Sequence, residues 1–136
     1  MKTAKQASEN SGIPIRLIRS VIRTVGKDSI EDIYNHGADG GYPGITYYHD
    51  TIAFYRRNRA DIIELAHRMA EDLGEDMLSM IPGFNCLKQD NPQYKRETLD
   101  EIGRTIYGRM NSDDTQVANA LCWFACEEVA RALCDD

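Results

Sequence analysis

The chain has 136 residues, the length of one domain, and combines 42% hydrophobic with 28% charged residues. A chain of this size buries roughly two-thirds of its surface on folding, so a globular core is expected and wholesale disorder is disfavoured. No apolar run reaches the roughly 20 residues of a membrane-spanning helix, and residues 1–10 lack the apolar stretch of a secretory signal. Four cysteines without an export signal are typical of reduced thiols. We therefore expect a cytoplasmic protein without a membrane partner.

The net charge of −6 is unevenly distributed along the sequence. Residues 1–27 hold six basic residues and one acidic residue, whereas residues 28–136 hold ten basic and 21 acidic residues. The single domain over 1–136 therefore divides into a basic head of net charge +5 and an acidic body of net charge −11. Such a polarity concerns partners and solubility rather than the fold.

Apolar residues at spacings of three and four predict an amphipathic helix over 13–25, a short helix is expected ahead of it and another after it, and a glycine follows each of the three. Pro14 suits the first turn of the second helix, and Ser29 is the predicted N-cap of the third. These helices and their terminating glycines are 3–10 with Gly12, 13–25 with Gly26, and 29–36 with Gly37.

The rest of the chain continues the helical pattern after a loop over 36–48 that holds four of the ten glycines. Asn58 and Asp61 resemble a helix restart, which leaves open one bent helix or two between 46 and 73. The last helix is expected in the centre of the core, with Val117, Leu121, Phe124, Ala125 and Val129 facing inward. The remaining predicted helices are 75–81, 98–108 and 113–133. The fold class is all-α, a compact bundle of six or seven helices.

The first two helices suggest a helix-turn-helix unit, because a short helix and a turn at 11–13 precede a helix that bears Arg16, Arg19 and Arg23. Arginine suits phosphates and guanine edges. Against this interpretation stand Pro14 and Ser11, which are unusual in such a turn, and the acidic body, which repels a polyanion. A solvated helix face is the alternative explanation of the three arginines.

The glycine-rich loop offers a second candidate site, since His36 and Asp39 together can perform general acid-base chemistry. No Ser or Cys nucleophile is adjacent, and the glycine pattern lacks the Lys of a phosphate-binding loop. We therefore favour a structural loop, and expect no enzyme activity and no cofactor. Cys122 and Cys126 share a helix face but lack zinc-site spacing, so we interpret them as buried apolar residues and expect no metal.

Glu71, Asp72, Glu75 and Asp76 form an acidic cluster around the predicted helix end at Gly74. The helix dipole disfavours negative charge at this end, so local electrostatics does not explain the cluster. It is either a solubilising surface or a set of carboxylates that meets a basic partner.

The run HGADGGYPGITYY at 36–48, with Asp50-Thr51 and Phe54-Tyr55 after it and EEVAR at 127–131, resembles a family of small acidic proteins carried by phages and plasmids. The resemblance covers residues 28–134 and brings no established activity. It implies a mobile-element setting, in which small acidic proteins are similar in character to anti-CRISPR proteins that occlude a nucleoprotein complex.

Three functional hypotheses follow. The first is a non-enzymatic inhibitor that binds a host protein or nucleoprotein complex through aromatic anchors and carboxylates. The second is a DNA-binding regulator that uses Arg16, Arg19 and Arg23. The third is an enzyme built on His36 and Asp39. The partner-binding residues of the first hypothesis are Asp39, Tyr42, Tyr47, Tyr48, Glu71, Asp72, Glu75 and Asp76.

Overall fold

The computed structural model describes residues 1–37, 48–73 and 112–135. These residues form five helices and no strand, which confirms the all-α prediction for this part of the chain. None of the five combines the length and the apolar character that a membrane crossing needs. The predicted helices 75–81 and 98–108 lie outside the described residues. The five helices are α1 (Ala4–Ser11), α2 (Ile15–Val25), α3 (Lys27–His36), α4 (Tyr48–Leu73) and α5 (Ser112–Cys134).

Local capping chemistry sets the ends of the first helices. Thr3 caps α1 through a reciprocal pair of hydrogen bonds. The backbone amide of Gln6 donates to the Thr3 hydroxyl, and the backbone amide of Thr3 donates to Oε1 of the Gln6 side chain. Gly12 ends α1 at φ 77°, a left-handed conformation that favours glycine. The ends predicted at Gly12, Gly26 and Gly37 are confirmed.

One predicted helix start is wrong, and the structure decides an alternative that the sequence left open. α3 begins at Lys27, directly after Gly26, so Ser29 lies within the helix rather than at its N-cap. α4 runs without interruption through Asn58, which is buried and donates a hydrogen bond to the Phe54 carbonyl four residues earlier. Asn58 is thus a core residue of one long helix and not the cap of a second one.

α5 is the central helix of the core, as predicted. It contacts all four other helices, and its most extensive contact is with α4. Leu121, Phe124, Ala125 and Val129 are buried, which confirms their inward orientation, whereas the side chain of Val117 lies outside the described part. The largest fully buried side chains opposite α5 come from α2, α3 and α4. They include Leu17, Ile18, Ile30, Ile33, Phe54, Tyr55 and Ile62.

The buried polar pair between α2 and α4 gives a stability prediction. Asn58→Ala leaves the buried Ser20 hydroxyl without its donor, so we expect the free energy of unfolding to fall by about 1–3 kcal/mol. The exposed neighbour Arg57→Ala is the matched control and should stay within about 0.5 kcal/mol of the parent. Urea denaturation followed by circular dichroism measures both. The double variant Ser20→Ala/Asn58→Ala should cost less than the sum of the single changes; strict additivity would show that the two side chains are not coupled.

Candidate nucleic-acid interface

The turn between α1 and α2 is closed by two serines. The Ser11 hydroxyl donates to the Ala7 carbonyl and accepts from the Ile13 amide, while the Ser8 hydroxyl donates to the Ile13 carbonyl at 2.6 Å. Ser11 therefore fixes the turn with hydrogen bonds instead of apolar packing. Pro14 stands at the N-cap of α2, where its missing amide proton costs no helical hydrogen bond. Both features that seemed unusual for a helix-turn-helix unit thus have a structural role.

Three polar contacts hold α2 and its preceding turn against α4. Their residue numbers rise along α2 as they fall along α4, so the two helices run antiparallel at this contact. The innermost pair is buried, with exposed fractions of 6% for Ser20 and 7% for Asn58. The three donor–acceptor pairs are Arg68 Nη1 to the Gly12 carbonyl at 3.0 Å, Arg16 to Asp61 at 2.7 Å, and Asn58 Nδ2 to Ser20 Oγ at 2.9 Å.

Arg16 and Asp61 form a bidentate ion pair. Arg16 donates from Nε to Oδ2 and from Nη2 to Oδ1, each at 2.7 Å. These hydrogen bonds, and then the negative charge of Asp61, raise the pKa of Arg16 above its ordinary value. The exposures are unequal, since 78% of the Arg16 side chain is accessible but only 13% of the Asp61 side chain. Asp61 is therefore covered by the pair while Arg16 still faces water.

A groove of about 440 Å³ lies between α2 and α4. Small and polar side chains form its middle, and arginines stand along its sides. Asp61 is the only acidic residue among the described lining residues, and Arg16 neutralises it. Among the described lining residues, Arg23 and Arg57 therefore add two positive charges that no further acidic residue balances. The described lining residues are Arg16, Ser20, Arg23, Arg57, Asn58, Ala60 and Asp61.

The three arginines predicted for nucleic-acid binding are all exposed on α2. Arg16 and Arg23 line the groove, and Arg19 lies one turn from each on the same solvent-facing side. Sequence reasoning missed Arg57, which α4 brings to the same groove. The sequence signal was the run Arg56-Arg57-Asn58-Arg59, which holds three arginines in four residues. To place Arg57 beside the arginines of α2, however, one must know the register between α2 and α4.

Most of the predicted partner-binding residues lie outside the described part of the chain. This holds for Asp39, Tyr42, Tyr47, Glu75 and Asp76. Tyr48 and Glu71 belong to α4, but their side chains are not among those described. Asp72 is exposed near the end of α4, at the edge of a second cleft. Asp72 is therefore the only residue of this predicted set whose side chain the structure describes.

The second cleft, of about 450 Å³, lies where α1 and the last turns of α4 and α5 meet. Lys2, Arg68 and Arg131 line it together with Asp72, Glu128 and Asp135, so its charges balance. Glu128 pairs with Arg131 one turn later. Burial raises the pKa of Glu128 and outweighs the opposing effect of Arg131. The described lining residues of the cleft therefore give no excess positive charge that would attract a polyanion.

The proposed acid-base pair is not assembled in the described residues. His36 lies at the end of α3 with 74% of its side chain exposed, and its Nε2 is 3.8 Å from Asp32 Oδ1 on the same helix. Asp39 lies outside the described residues. The described residues therefore do not test the enzyme hypothesis.

The burial predicted for Cys122 and Cys126 is confirmed. Burial raises the pKa of Cys122 well above its usual range and that of Cys126 to about 12, so both thiols keep their protons at neutral pH. In residues 1–37, 48–73 and 112–135 no three His, Cys, Asp or Glu side chains come together as metal ligands would.

Comparison with known proteins gives one match. Residues 17–136 match the family described as a domain of unknown function (DUF7222). The chain belongs to this family. The match begins within α2, so α1 and Arg16 precede it. No curated protein and no solved structure shows significant similarity to the chain.

The raised pKa of Glu128 gives a pH-dependence prediction. Because the folded state holds the Glu128 proton more tightly than the unfolded state, this group stabilises the fold below the unfolded-state pKa, about 4.3. That contribution is lost as the pH rises through the folded-state value. Glu128→Gln should therefore raise the free energy of unfolding at pH 7 and change it little at pH 3.5. Urea titrations at both pH values measure this, with the exposed Glu9→Gln controlling for loss of one negative charge. Lower stability of Glu128→Gln at pH 7 would contradict the pKa direction.

The cysteine environments predict selective labelling. With iodoacetamide at pH 8, Cys134 should react in the native protein, because it is only partly buried, whereas Cys122 and Cys126 should react only after denaturation. Peptide mass spectrometry identifies the labelled positions. Native labelling of Cys122 at the rate of Cys134 would show that α5 is not the centre of the core.

Proposed function

We propose that the protein is a non-catalytic DNA-binding regulator whose recognition surface is formed by α2 and the facing part of α4. The observation that carries this proposal is the arginine-lined groove, in which Arg16, Arg23 and Arg57 come from two helices and Asp61, the one acidic residue among the described lining residues, is already paired. Arg23 and Arg57, which have no acidic neighbour among the described lining residues, suit phosphate oxygens, and contacts to phosphates supply much of the affinity of DNA-binding proteins.

The arrangement of α1 and α2 supports duplex DNA in particular. The two helices pack together and are joined by the three-residue turn 12–14, as in helix-turn-helix units. In such units the second helix enters the major groove and the first residues of that helix reach the bases. Arg16 and Arg19 occupy the second and fifth positions of α2 and are exposed there. A-form RNA offers no comparable access, because its major groove is too narrow for side chains to read.

The net charge of −6 does not oppose this proposal, because the charges are segregated. The first 27 residues carry six of the 16 basic residues, and residues 53–60 add three arginines without an acidic residue. Beyond about 8–10 Å, exposed charges are largely screened at physiological salt, so a distant acidic residue affects the groove less than the arginines that line it.

The inhibitor hypothesis stays a prediction, as do its mobile-element origin and cytoplasmic setting. Its main anchors, Tyr42 and Tyr47, lie outside the described residues. The two hypotheses also differ at Arg57. The DNA-binding proposal places Arg57 at the interface, whereas the inhibitor hypothesis does not use it.

A charge reversal tests the proposal. Arg57→Glu should weaken binding to a mixed-sequence 20-base-pair duplex by about tenfold or more at 50 mM KCl, because it removes one phosphate contact and adds a repulsion. It should also reduce the slope of log K against log salt by about 1. Fluorescence anisotropy of a labelled duplex measures both quantities.

Arg56→Glu is the matched control for this experiment. Arg56 is the adjacent residue, is also exposed, and points about 100° away around α4, outside the groove. We expect Arg56→Glu to lose clearly less affinity than Arg57→Glu and to leave the salt slope unchanged, because it removes no phosphate contact. Equal losses for both variants would mean that the groove is not the interface. Absence of salt-dependent duplex binding by the parent protein would overturn the proposed function itself.

A further inference from the structure

The Arg16–Asp61 pair uses one edge of the guanidinium and leaves the other edge exposed. Arg16 engages Asp61 through Nε and Nη2. A guanidinium has five N–H donors, so the outer edge formed by Nη1 and the second hydrogen of Nη2 keeps a parallel pair of donors. With 78% of the Arg16 side chain accessible, this edge faces solvent. Such a parallel pair of donors matches guanine O6 and N7, which arginine binds in a bidentate manner.

The pair also removes a large part of the entropy cost of using Arg16. A free arginine loses rotamer entropy when a ligand orders it. Asp61, itself only 13% exposed, already holds Arg16 in place with two 2.7 Å hydrogen bonds. The Asn58–Ser20 bond one turn along α2 fixes the backbone that carries both partners. Preorganisation of this kind converts directly into affinity for a ligand that fits the presented edge.

The position of Arg16 on α2 distinguishes it from the other groove arginines. It is the second residue of the helix, where helix-turn-helix proteins place base-contacting side chains, while Arg23 is in the last turn. Arg23 and Arg57 line the groove farther along the α2 axis and are suited to phosphates. The acidic partner also disfavours phosphate at Arg16, since a phosphate oxygen would lie near the Asp61 carboxylate, whereas a neutral guanine edge carries no net charge.

We infer that Arg16 is a specificity-determining residue that reads a guanine in the major groove, and that Asp61 is the residue that positions it. This inference rests on the proposed function. It predicts opposite effects of one substitution: Asp61→Asn removes a negative charge and should strengthen nonspecific duplex binding, yet it should weaken the preference for guanine because Arg16 is held less firmly.

The experiment is a selection from a random duplex library with the parent, Arg16→Ala, Asp61→Asn and the control Arg56→Ala, followed by anisotropy on the selected sequence. We expect the parent and Arg56→Ala to select a guanine at one fixed position. At that position Arg16→Ala should lose about tenfold or more in discrimination and leave preferences elsewhere unchanged. Replacing that guanine with 7-deazaguanine, which lacks the N7 acceptor, should weaken the parent and leave Arg16→Ala unaffected.

A measurement on the free protein tests the positioning role separately. The Arg16 Nε–H resonance should show a rigid heteronuclear NOE in the parent and a mobile one in Asp61→Asn, with circular dichroism confirming that both are folded. A mobile Arg16 in the parent would overturn the inference. So would duplex binding by the parent without any guanine preference, a result that leaves the proposed function intact. Equally tight binding to duplex RNA of the same sequence would exclude major-groove recognition, and no duplex binding at all would overturn both.

Discussion

One buried hydrogen bond fixes how α2 lies along α4, and the candidate site depends on that placement. Asn58 Nδ2 donates to Ser20 Oγ at 2.9 Å, and both side chains are buried, whereas the Arg16–Asp61 and Arg68–Gly12 contacts between the same elements lie at the surface. Apolar packing tolerates small sliding motions, whereas a buried amide without its partner loses the free energy of a hydrogen bond. The pair therefore selects one register, and that register sets Arg16 opposite Asp61 and brings Arg57 to the groove.

The features of the fold that depend on neighbouring residues could be predicted from the sequence. Gly12, Gly26 and Gly37 end their helices because the backbone there adopts positive φ values, which glycine tolerates at little cost. The central place of α5 follows from its apolar residues, which recur at helical spacing. Both signals are local, so no knowledge of tertiary contacts is needed to read them.

Asn58 shows why the rest could not be predicted. In sequence it is an ordinary capping residue followed three positions later by an acid, the pattern of a helix start. What makes it a core residue is Ser20, 38 positions earlier, together with a carbonyl of its own helix. The same limit applies to the site: the arginine face of α2 follows from helical periodicity, but Arg57 joins it only through the register that Asn58 and Ser20 define.

Asp61 and Glu128 show how similar ion pairs can have different consequences. Each is a poorly exposed carboxylate beside a more exposed arginine, with 13% of Asp61 and 14% of Glu128 accessible. Both oxygens of Asp61 accept hydrogen bonds from an arginine on another helix, so this pair connects α4 to α2. Glu128 bonds through Oε1 to Arg131 of its own helix, and there the cost of burial outweighs the attraction. An ion pair within one turn of a helix adds no constraint between helices, whereas the pair between α2 and α4 immobilises its arginine relative to the whole bundle. That difference is why the proposed guanine contact is assigned to Arg16 rather than to Arg131.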